Sequence, residues 1–384
     1  MKLSANLMHL ATLYLVTAVA SFAQQAPDGS VTSLESAAQA LTYTEARPFN
    51  LPIAEGYRDE DVRSAFVNAS SALRPDFPGY TIGNAGTGKQ APIKTPLSKI
   101  TTPSKQLAPV DAGTSGLPFS TARADLDPLA TNEQYPFRAA GKLFFNINRQ
   151  TYICSASLVK PGLVVTAAHC VAKYGSKSQY SGWEFHPGYR NGTSPFGKWT
   201  VARAYVLTAY LDGSDPCQLK GVVCRDDVAV LVLNANSGAP ADPYPGRQTG
   251  WFSYAWNGAG FTPTKTTHVT QLGYPGCLDN AVLMQRNDSQ GVVDSTHSDN
   301  TVIGSLMCGG SSGGPWLVNF GVQPSLTGTS FGNAPMPNAI IGVASWGSTD
   351  NAVKWMGASP FLDDNIVKLV GTACNDYPAA CKTN

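Results

Sequence analysis

The sequence predicts an all-β domain with one helix at its C-terminal end. Among its 384 residues are 37 glycines and 27 prolines, a composition typical of many short strands connected by turns. After about residue 135 the chain alternates between turn residues and short apolar runs, none long enough for a buried helix. These runs are residues 143–145, 152–159, 163–167, 228–233, 281–284 and 340–346.

The C-terminal helix is predicted over residues 360–370. Phe361, Ile366, Val367 and Val370 recur there near helical spacing. We therefore expect all four side chains on one face, packed against the strands.

Composition and charge restrict the function classes. Hydrophobic residues make up 43% of the chain, enough for a sizeable core, and only 14% of residues are charged, compared with about 25% in typical soluble domains. The formal net charge is +1, so there is no electrostatic basis for binding nucleic acid or an anionic membrane. We expect neither partner, and no metal-ligand cluster or phosphate-binding loop in the sequence indicates a cofactor.

The N-terminus has the pattern of an export signal. Lys2 precedes an apolar stretch over residues 7–20. Within residues 21–23 (Ser-Phe-Ala), Ser21 and Ala23 offer small side chains at the two positions that a signal peptidase reads. A membrane anchor is the alternative, but the apolar run is shorter than the roughly 20 residues that span a bilayer. We predict a signal peptide at residues 1–23 and a secreted protein.

Residues 24–130 differ in amino-acid composition from the rest of the chain. They contain no cysteine and are rich in Ala, Pro, Ser and Thr, and residues 91–109 lack any helical or strand period. We interpret the region as a pro-segment or low-order linker, which would make the protein a zymogen; a weakly structured adhesive region is the alternative. Residues 131–384 are predicted to form the folded domain.

Two short motifs carry the candidate chemistry. Residues 166–170 (Thr-Ala-Ala-His-Cys) place His169 in a tight turn after a buried apolar strand, whereas the other histidines have no local pattern. Residues 310–315 (Gly-Ser-Ser-Gly-Gly-Pro) place Ser312 in a turn where only small residues fit. A serine hydroxyl is a poor nucleophile at neutral pH and needs a nearby base and donors for the oxyanion it creates. His169 is the candidate base and Ser312 the candidate nucleophile, in a chain order known for catalytic triads.

A histidine base needs a carboxylate that fixes its tautomer. Asp226 and Asp227 directly precede the apolar run 228–233, and adjacent strand residues point to opposite faces, so at most one acid faces His169. Asp227 is predicted because it adjoins the apolar run and is drawn into the interior, whereas Asp226 is expected to be solvated. The alternative is that both acids only begin the strand.

All eight cysteines lie in the predicted domain. In an exported protein an even number favours four disulfides over a metal site. Eight cysteines allow roughly a hundred pairings, and their order favours neighbours, most strongly the pair that includes the cysteine beside the candidate base. The neighbouring pairs are Cys154–Cys170, Cys217–Cys224, Cys277–Cys308 and Cys374–Cys381.

These motifs together carry a resemblance to a known family. The chain resembles the trypsin/chymotrypsin-like serine endopeptidases over about residues 135–370. The matching motifs are residues 166–170, 227–231, 310–315 and 345–347 (Ser-Trp-Gly). Within the family the chain looks most like the glutamyl-endopeptidase-like (V8-like) branch of bacterial and fungal enzymes. The resemblance implies two six-stranded antiparallel β-barrels with the site at their junction, and a crossover between them over residues 234–266.

The resemblance also implies a mechanism. Ser312 attacks the scissile carbonyl, His169 takes its proton and passes it to the leaving amine, and Asp227 orients His169. The backbone amides of Gly310 and Ser312 form the oxyanion hole, where glycine is needed at position 310 because its amide must turn inward unhindered. We expect a monomer that acts on proteins or peptides.

Further residues implied by the resemblance predict the specificity. The base of the primary pocket corresponds to Leu306, with Met307 beside it, so the carboxylate that a preference for Lys or Arg requires is absent. Ala344 stands where a preference for Glu would require a histidine. We therefore predict apolar or small side chains before the scissile bond. The strand implied to pair with the substrate backbone is Ser345, Trp346 and Gly347.

One position departs from the trypsin-like majority, in which an aspartate precedes the nucleophile and pairs with the N-terminal amine released by activation. The residue here is Ser311, and a buried ammonium without a counter-charge would be very costly. We predict that neutral hydrogen bonds from Ser311 and the disulfide of Cys308 hold the oxyanion loop instead.

The sequence favours a secreted serine endopeptidase that works through an acyl-enzyme over two other function classes. An inactive relative that only binds or scaffolds is disfavoured because all three triad residues are present. An esterase or lipase is disfavoured because that class places its serine before the acid and the histidine.

Overall fold

The computed structural model describes residues 29–52, 79–88, 117–125, 129–239, 242–262, 265–294, 300–322, 336–347 and 354–383. The predicted signal peptide at residues 1–23 lies outside these ranges. Within them, no helix has the length and apolar character needed to cross a bilayer.

The described residues are mostly β-structure. Strands before the crossover are β1 (Val31–Glu35), β2 (Arg47–Pro48), β3 (Gly79–Thr81), β4 (Phe119–Arg123), β5 (Ala140–Ile147), β6 (Gln150–Lys160), β7 (Leu163–Thr166), β8 (Ala172–Lys173), β9 (Ser178–Gln179), β10 (Ser181–Pro187), β11 (Trp199–Leu207) and β12 (Ala229–Leu233). Later strands are β13 (Ser253–Trp256), β14 (Thr266–Gly273), β15 (Gln285–Asp294), β16 (Asn300–Gly304), β17 (Pro315–Val318), β18 (Ala339–Gly347) and β19 (Trp355–Pro360). The α-helices are α1 (Thr208–Asp212), α2 (Gly246–Thr249), α3 (Lys368–Asp376) and α4 (Pro378–Cys381).

Two closed, six-stranded antiparallel barrels organise these strands. The first has the order β5–β6–β7–β12–β11–β10, and β10 pairs back to β5. The second has the order β14–β15–β16–β19–β18–β17, and β17 pairs back to β14. The predicted fold class is therefore confirmed.

The strands that lead to the site are buried on both faces. β7 and β12 pair with each other and are buried at every position. One face of β12 fills the barrel, and α3 packs against β12 and β11 from outside. This is why both strands read as continuous apolar runs rather than as alternating ones.

The C-terminal helix is confirmed, but it begins later than predicted. β19 extends to Pro360, a π-type helical turn covers Asp363–Val367, and α3 follows. Ile366 is buried as expected, whereas Val367 is exposed. A π-type turn holds more residues than an α-helical one, so the regular spacing assumed for this face does not apply there.

Parts of residues 24–130 add strands to the sheets that form the two barrels. β1 pairs with β11 and β2 pairs in parallel with β6, while β3 pairs with β13 and β4 with β15. Composition does not reveal such short strands, because much of each remains exposed. The boundary of the pro-segment near residue 130 stays a prediction.

The crossover is more ordered than a polar loop. It contains α2 and β13, and β13 pairs in parallel with β18 of the second barrel. Trp251 and Phe252 are buried within it. Their burial anchors the connection to the barrels.

Four disulfides join the cysteines as neighbouring pairs, the arrangement that their order favoured. The bonds are Cys154–Cys170, Cys217–Cys224, Cys277–Cys308 and Cys374–Cys381.

Candidate active site

His169 lies in one short helical turn, Ala168–Cys170, directly after β7. The disulfide from Cys170 to Cys154 ties this turn to β6. The carbonyl oxygen of Cys170 accepts a hydrogen bond from Trp183 Nε1 at 3.2 Å. The imidazole is therefore held in place by covalent and hydrogen bonds on its own turn, and only 5% of the residue is exposed.

Asp227 binds His169 through both carboxylate oxygens. Oδ1 accepts the backbone N–H of His169 at 2.7 Å, and Oδ2 lies 2.7 Å from the ring nitrogen Nδ1. Ser345 Oγ donates a third hydrogen bond to Oδ2 at 2.6 Å. With the Nδ1 proton on the side of the carboxylate, Nε2 is left as the acceptor nitrogen of the neutral ring.

Asp226 was expected to be solvated, and this prediction is wrong. The residue is fully buried. Its Oδ2 lies 3.1 Å from Arg225 Nη2, and its Oδ1 accepts a hydrogen bond from Asn365 Nδ2 at 3.4 Å. A neighbouring arginine and an amide from the C-terminal helical turn satisfy the carboxylate. Both acids precede β12, which begins at Ala229, so the strand alternation assumed for them does not apply, and both are buried.

A third acid, Asp215, lies behind this pair. Its Oδ2 accepts the backbone N–H of Asp226 at 2.9 Å. Burial raises the pKa of both carboxyls, and the negative charge of Asp226 raises the pKa of Asp215 further. The acids beneath the site thus form a buried network in which Asp215 favours its protonated form.

Ser312 lies in a turn wedged between the two barrels. The N–H of Gly313 donates to the Ala344 carbonyl of β18 at 2.7 Å, and the N–H of Ser155 on β6 donates to the Ser312 carbonyl at 2.7 Å. Gly313 has a φ of +75°, and a Cβ there would lie 2.5 Å from the Ser155 carbonyl oxygen. Only glycine satisfies both the backbone angle and the space.

The turn that carries Ser312 contacts the end of the strand that leads into His169, and no hydrogen bond joins the two side chains. Gly313, next to Ser312, packs against Thr166 and Ala167, which lead into His169. Both Ser312 Oγ and His169 Nε2 are buried and lack a hydrogen-bond partner among the described residues. The structure thus joins His169 to Asp227 and places the turn that carries Ser312 against the residues that lead into His169.

The loop that precedes Ser312 is held by neutral groups. Ser311 Oγ donates to the Cys308 carbonyl at 2.7 Å, and Cys308 is bonded to Cys277. Ser155 Oγ donates to the Gly310 carbonyl at 2.9 Å. This is the kind of bonding that the sequence predicted for a loop without the usual aspartate.

The residues predicted to bind substrate occupy different environments. Met307 lies in a hydrophobic cluster with Ala344 in the second barrel, and the half-buried Leu306 donates its N–H to Thr121 of β4 at 3.4 Å. The Trp346 side chain turns into the core, where Nε1 donates to Asn300 Oδ1 at 2.6 Å. The Ser345 side chain is bonded to Asp227, so any contact of residues 345 and 346 with substrate involves their backbone.

Sequence reasoning missed two residues at the site. Ser155 supports the turn from β6, and Phe49 stacks on the His169 ring with the centroids 5.9 Å apart and the planes at 22°. Ser155 carries no local motif. Phe49 and Leu51 flank the polar Asn50 between two prolines, which is typical of a short extended segment.

Two groups of side chains in the described residues have the spacing of metal ligands. One joins His169 with Cys154 and Cys170, and the other joins Asp215 with Cys217 and Cys224. All four cysteines are in disulfides, and thiolate is the form that binds a metal. Neither group fits a metal centre.

Comparisons with known proteins find similar sequences and structures. The chain is 28% identical over 154 residues to an extracellular metalloprotease of Bacillus subtilis (strain 168). This match covers 38% of the chain and 42% of that relative, so the chain matches less than half of the relative's length.

Among solved structures, the thermostable serine protease AL20 from an extremophilic microorganism has 22% identity and a TM-score of 0.46, covering 64% of this chain and 98% of that one. Protease Anisep from Arthrobacter nicotinovorans has 23% identity and a TM-score of 0.47, with coverages of 64% and 96%. A Glu endopeptidase has 16% identity and a TM-score of 0.43, with coverages of 66% and 95%.

The sequence model of the trypsin family matches residues 130–357. This range is more than half of the chain and contains His169, Asp227 and Ser312, whereas the segment at Phe49 lies outside it. The chain therefore belongs to the trypsin family, and this family and its fold support a peptidase function.

Proposed function

We propose that the protein is a secreted serine endopeptidase with His169, Asp227 and Ser312 as its catalytic triad. The observation that carries the proposal is the buried His169–Asp227 pair, with both hydrogen bonds at 2.7 Å, beside a glycine-rich turn that presents Ser312. Asp227 directs the acceptor nitrogen of the imidazole away from itself, which is the orientation that a general base requires.

The chemistry follows from these positions. Ser312 Oγ attacks the carbonyl carbon of the substrate while His169 Nε2 accepts the hydroxyl proton. As the carbon–nitrogen bond breaks, His169 returns that proton to the leaving amine, and an ester on Ser312 remains. Water then attacks the ester with His169 again as base, which releases the acid and restores the hydroxyl. Asp227 stabilises the imidazolium in both steps and stays ionised.

The negative charge on the attacked oxygen needs donors in fixed positions. The amides of Gly310 and Ser312 are proposed for this role. Gly310 has a φ of +96°, and a Cβ at this position would lie 2.6 Å from the Tyr274 carbonyl oxygen. Glycine thus allows the amide to turn into the cleft, and fixed donors of this kind act without reorganisation during the reaction.

Specificity is proposed to come from the hydrophobic cluster of the second barrel. Met307 and Ala344 share this cluster, so the strand that continues into residues 345–347 borders the pocket for the side chain before the scissile bond. The residues that precede the scissile bond therefore lie along this strand. We expect cleavage after Leu or Phe rather than after Arg or Glu, as read by mass spectrometry of a digested peptide library.

Export, peptide substrates and a monomeric enzyme complete the proposal. Four disulfides suit an oxidising compartment. The name of the Bacillus subtilis relative contains the word metalloprotease, but both candidate ligand groups described above depend on disulfide-bonded cysteines. The second candidate is an inactive relative that binds peptides, which differs in having no reactive serine.

Covalent labelling distinguishes the two. The purified protein is incubated to completion with a fluorophosphonate, and the labelled peptide is identified by mass spectrometry. We expect one label, on Ser312, which is absent from Ser312→Ala. Ser157→Ala is the matched control, because Ser157 is also buried with an unpartnered hydroxyl. Absence of label on Ser312 in the folded wild type and also in the folded double variant Phe49→Ala/Leu51→Ala would support the inactive relative.

A further inference from the structure

A segment from the region before the predicted domain crosses the candidate site. We call residues 47–52 (Arg-Pro-Phe-Asn-Leu-Pro) the cleft segment. The N–H of Gly310, one of the two proposed oxyanion donors, donates to the Phe49 carbonyl at 2.9 Å. The Phe49 carbonyl oxygen therefore occupies a donor that an attacked substrate carbonyl would need.

The Phe49 side chain covers the base. Its ring stacks on the His169 imidazole at a centroid distance of 5.9 Å and is enclosed edge-on by Phe145 and Tyr152. His169 is 5% exposed and Ser312 is not exposed at all. A substrate can therefore reach neither the nucleophile nor the base while Phe49 is in place.

The C-terminal half of the cleft segment occupies proposed substrate contacts. Leu51 packs against the hydrophobic cluster that contains Met307 and Ala344. The Pro52 carbonyl accepts the N–H of Gly347 at 3.2 Å. An apolar side chain and a backbone carbonyl thus take the places expected for the peptide that precedes the scissile bond.

The cleft segment runs in the opposite direction to a substrate. A substrate places the residues along the 345–347 strand before the carbonyl that meets Gly310, but Pro52 follows Phe49. The segment therefore fills substrate contacts on both sides of the nucleophile in the wrong chain direction for acyl transfer.

Strand pairing holds the cleft segment in position. β1 pairs with β11 over five residues, β2 pairs in parallel with β6, and the N–H of Phe49 donates to the Ile153 carbonyl at 2.9 Å. Gly309 follows the segment closely, since a Cβ there would lie 2.8 Å from the Phe49 carbonyl oxygen. These contacts do not depend on the chain being continuous near residue 130.

We propose that the cleft segment is a built-in inhibitor that binds the active site in reverse orientation, with Phe49 on the oxyanion loop and the base and Leu51 at the substrate pocket. This inference rests on the proposed function. Activation then requires the cleft segment itself to leave, and a chain cut only near residue 130 stays inhibited because β1 and β2 retain the segment.

The test compares rates of fluorophosphonate labelling of the intact secreted chain. The forms are wild type, the double variant Phe49→Ala/Leu51→Ala, and the control Asn50→Ala, whose side chain is exposed in the same segment. Ser312→Ala sets the background, and mass spectrometry verifies that residues 47–52 are still attached. We expect the double variant to label about tenfold faster or more, given the loss of an aromatic stack and a packed leucine, and Asn50→Ala to match wild type.

Equal, measurable rates for wild type and the double variant would overturn the inhibitor while leaving the proposed function intact. Absence of label in every form would overturn the proposed function, and the inference with it. If the double variant does not fold, Leu51→Ala alone decides the matter by the same comparison of rates with Asn50→Ala.

Discussion

Two buried histidines in the first barrel each pair with a carboxylate, and they differ in what their second nitrogen does. His169 Nδ1 lies 2.7 Å from Asp227, and His186 Nε2 lies 2.6 Å from Glu184. The other nitrogen of His186 lies 2.8 Å from Ser194 Oγ, which completes a hydrogen-bonded acid–base–serine row. His169 Nε2 has no partner among the described residues.

The difference teaches that a carboxylate, a histidine and a serine joined by hydrogen bonds are not by themselves a catalytic site. His186 packs between Phe144 and Tyr189 and is 1% exposed, so its row is a satisfied part of the core. What the His169 side has in addition is the glycine-rich turn whose backbone amides we propose as donors to the reacting carbonyl. An unpartnered nitrogen beside such a turn is available to take a proton.

The largest expected effect comes from replacing the histidine or the serine in each of the two groups by alanine. His169→Ala or Ser312→Ala should lower kcat/KM for peptide hydrolysis by about four orders of magnitude or more, because triad members act as a unit. The matched variants His186→Ala and Ser194→Ala should change it less than about tenfold. Steady-state kinetics with folding checked by circular dichroism decides this, and a comparable loss in the second pair would refute the assignment of roles.

The next largest effect tests the packing of the glycine-rich turn that carries Ser312. Gly313→Ala places a Cβ against the Ser155 carbonyl at a φ of +75°, whereas Gly321→Ala has a similar φ of +71° and open space around it. Both variants carry the backbone strain, so their difference isolates the steric clash. We expect Gly313→Ala to unfold more easily than Gly321→Ala by about 1–3 kcal/mol. Denaturant titration measures this, and equal stabilities would contradict the packing described for the turn.

Removing the third donor to Asp227 sharpens the comparison further. Ser345→Ala deletes the 2.6 Å hydrogen bond to the carboxylate, and bonds to charged groups are worth about 1.5–3 kcal/mol. We expect kcat to fall by about tenfold or more with a smaller change in KM. Ser359→Ala is the control, since its buried hydroxyl donates to the Cys224 carbonyl instead. If both variants lost kcat equally, Ser345 would have only a packing role.

The smallest effect concerns pH and the structural histidine. Burial holds the pKa of His186 below its ordinary value, although Glu184 opposes the shift. The unfolded chain therefore binds the proton more readily, and stability from this group is present above its ordinary pKa and lost as pH falls below it. His186→Gln should remove that loss, by at most about 1.4 kcal/mol per pH unit.

Denaturation at pH 7 and pH 5 measures this pH effect, with the exposed His268→Gln as control. A gap between wild type and His186→Gln that stays constant with pH would show that the imidazole is not held neutral.

Much of the candidate site could be predicted from local residue patterns. His169 and Ser312 lie in turns whose small residues are visible in the sequence, and Asp227 adjoins an apolar run that marks its strand as buried. The error at Asp226 has a physical cause. Adjacency to the core predicted one buried acid, but Asp226 is buried as well, because it is satisfied by Arg225 and by Asn365, which comes from the far end of the chain. Such a partner has no local signal.

The sequence by itself determined the all-β class, the terminal helix, the motifs and a favoured cysteine pairing, because each depends on short-range composition, period or order. Only the tertiary structure decided which histidine pair faces a glycine turn, where Ser155 supports it, and that Phe49 covers His169. These contacts join residues that are far apart in the chain. Barrel closure brings them together, and no local propensity encodes the result.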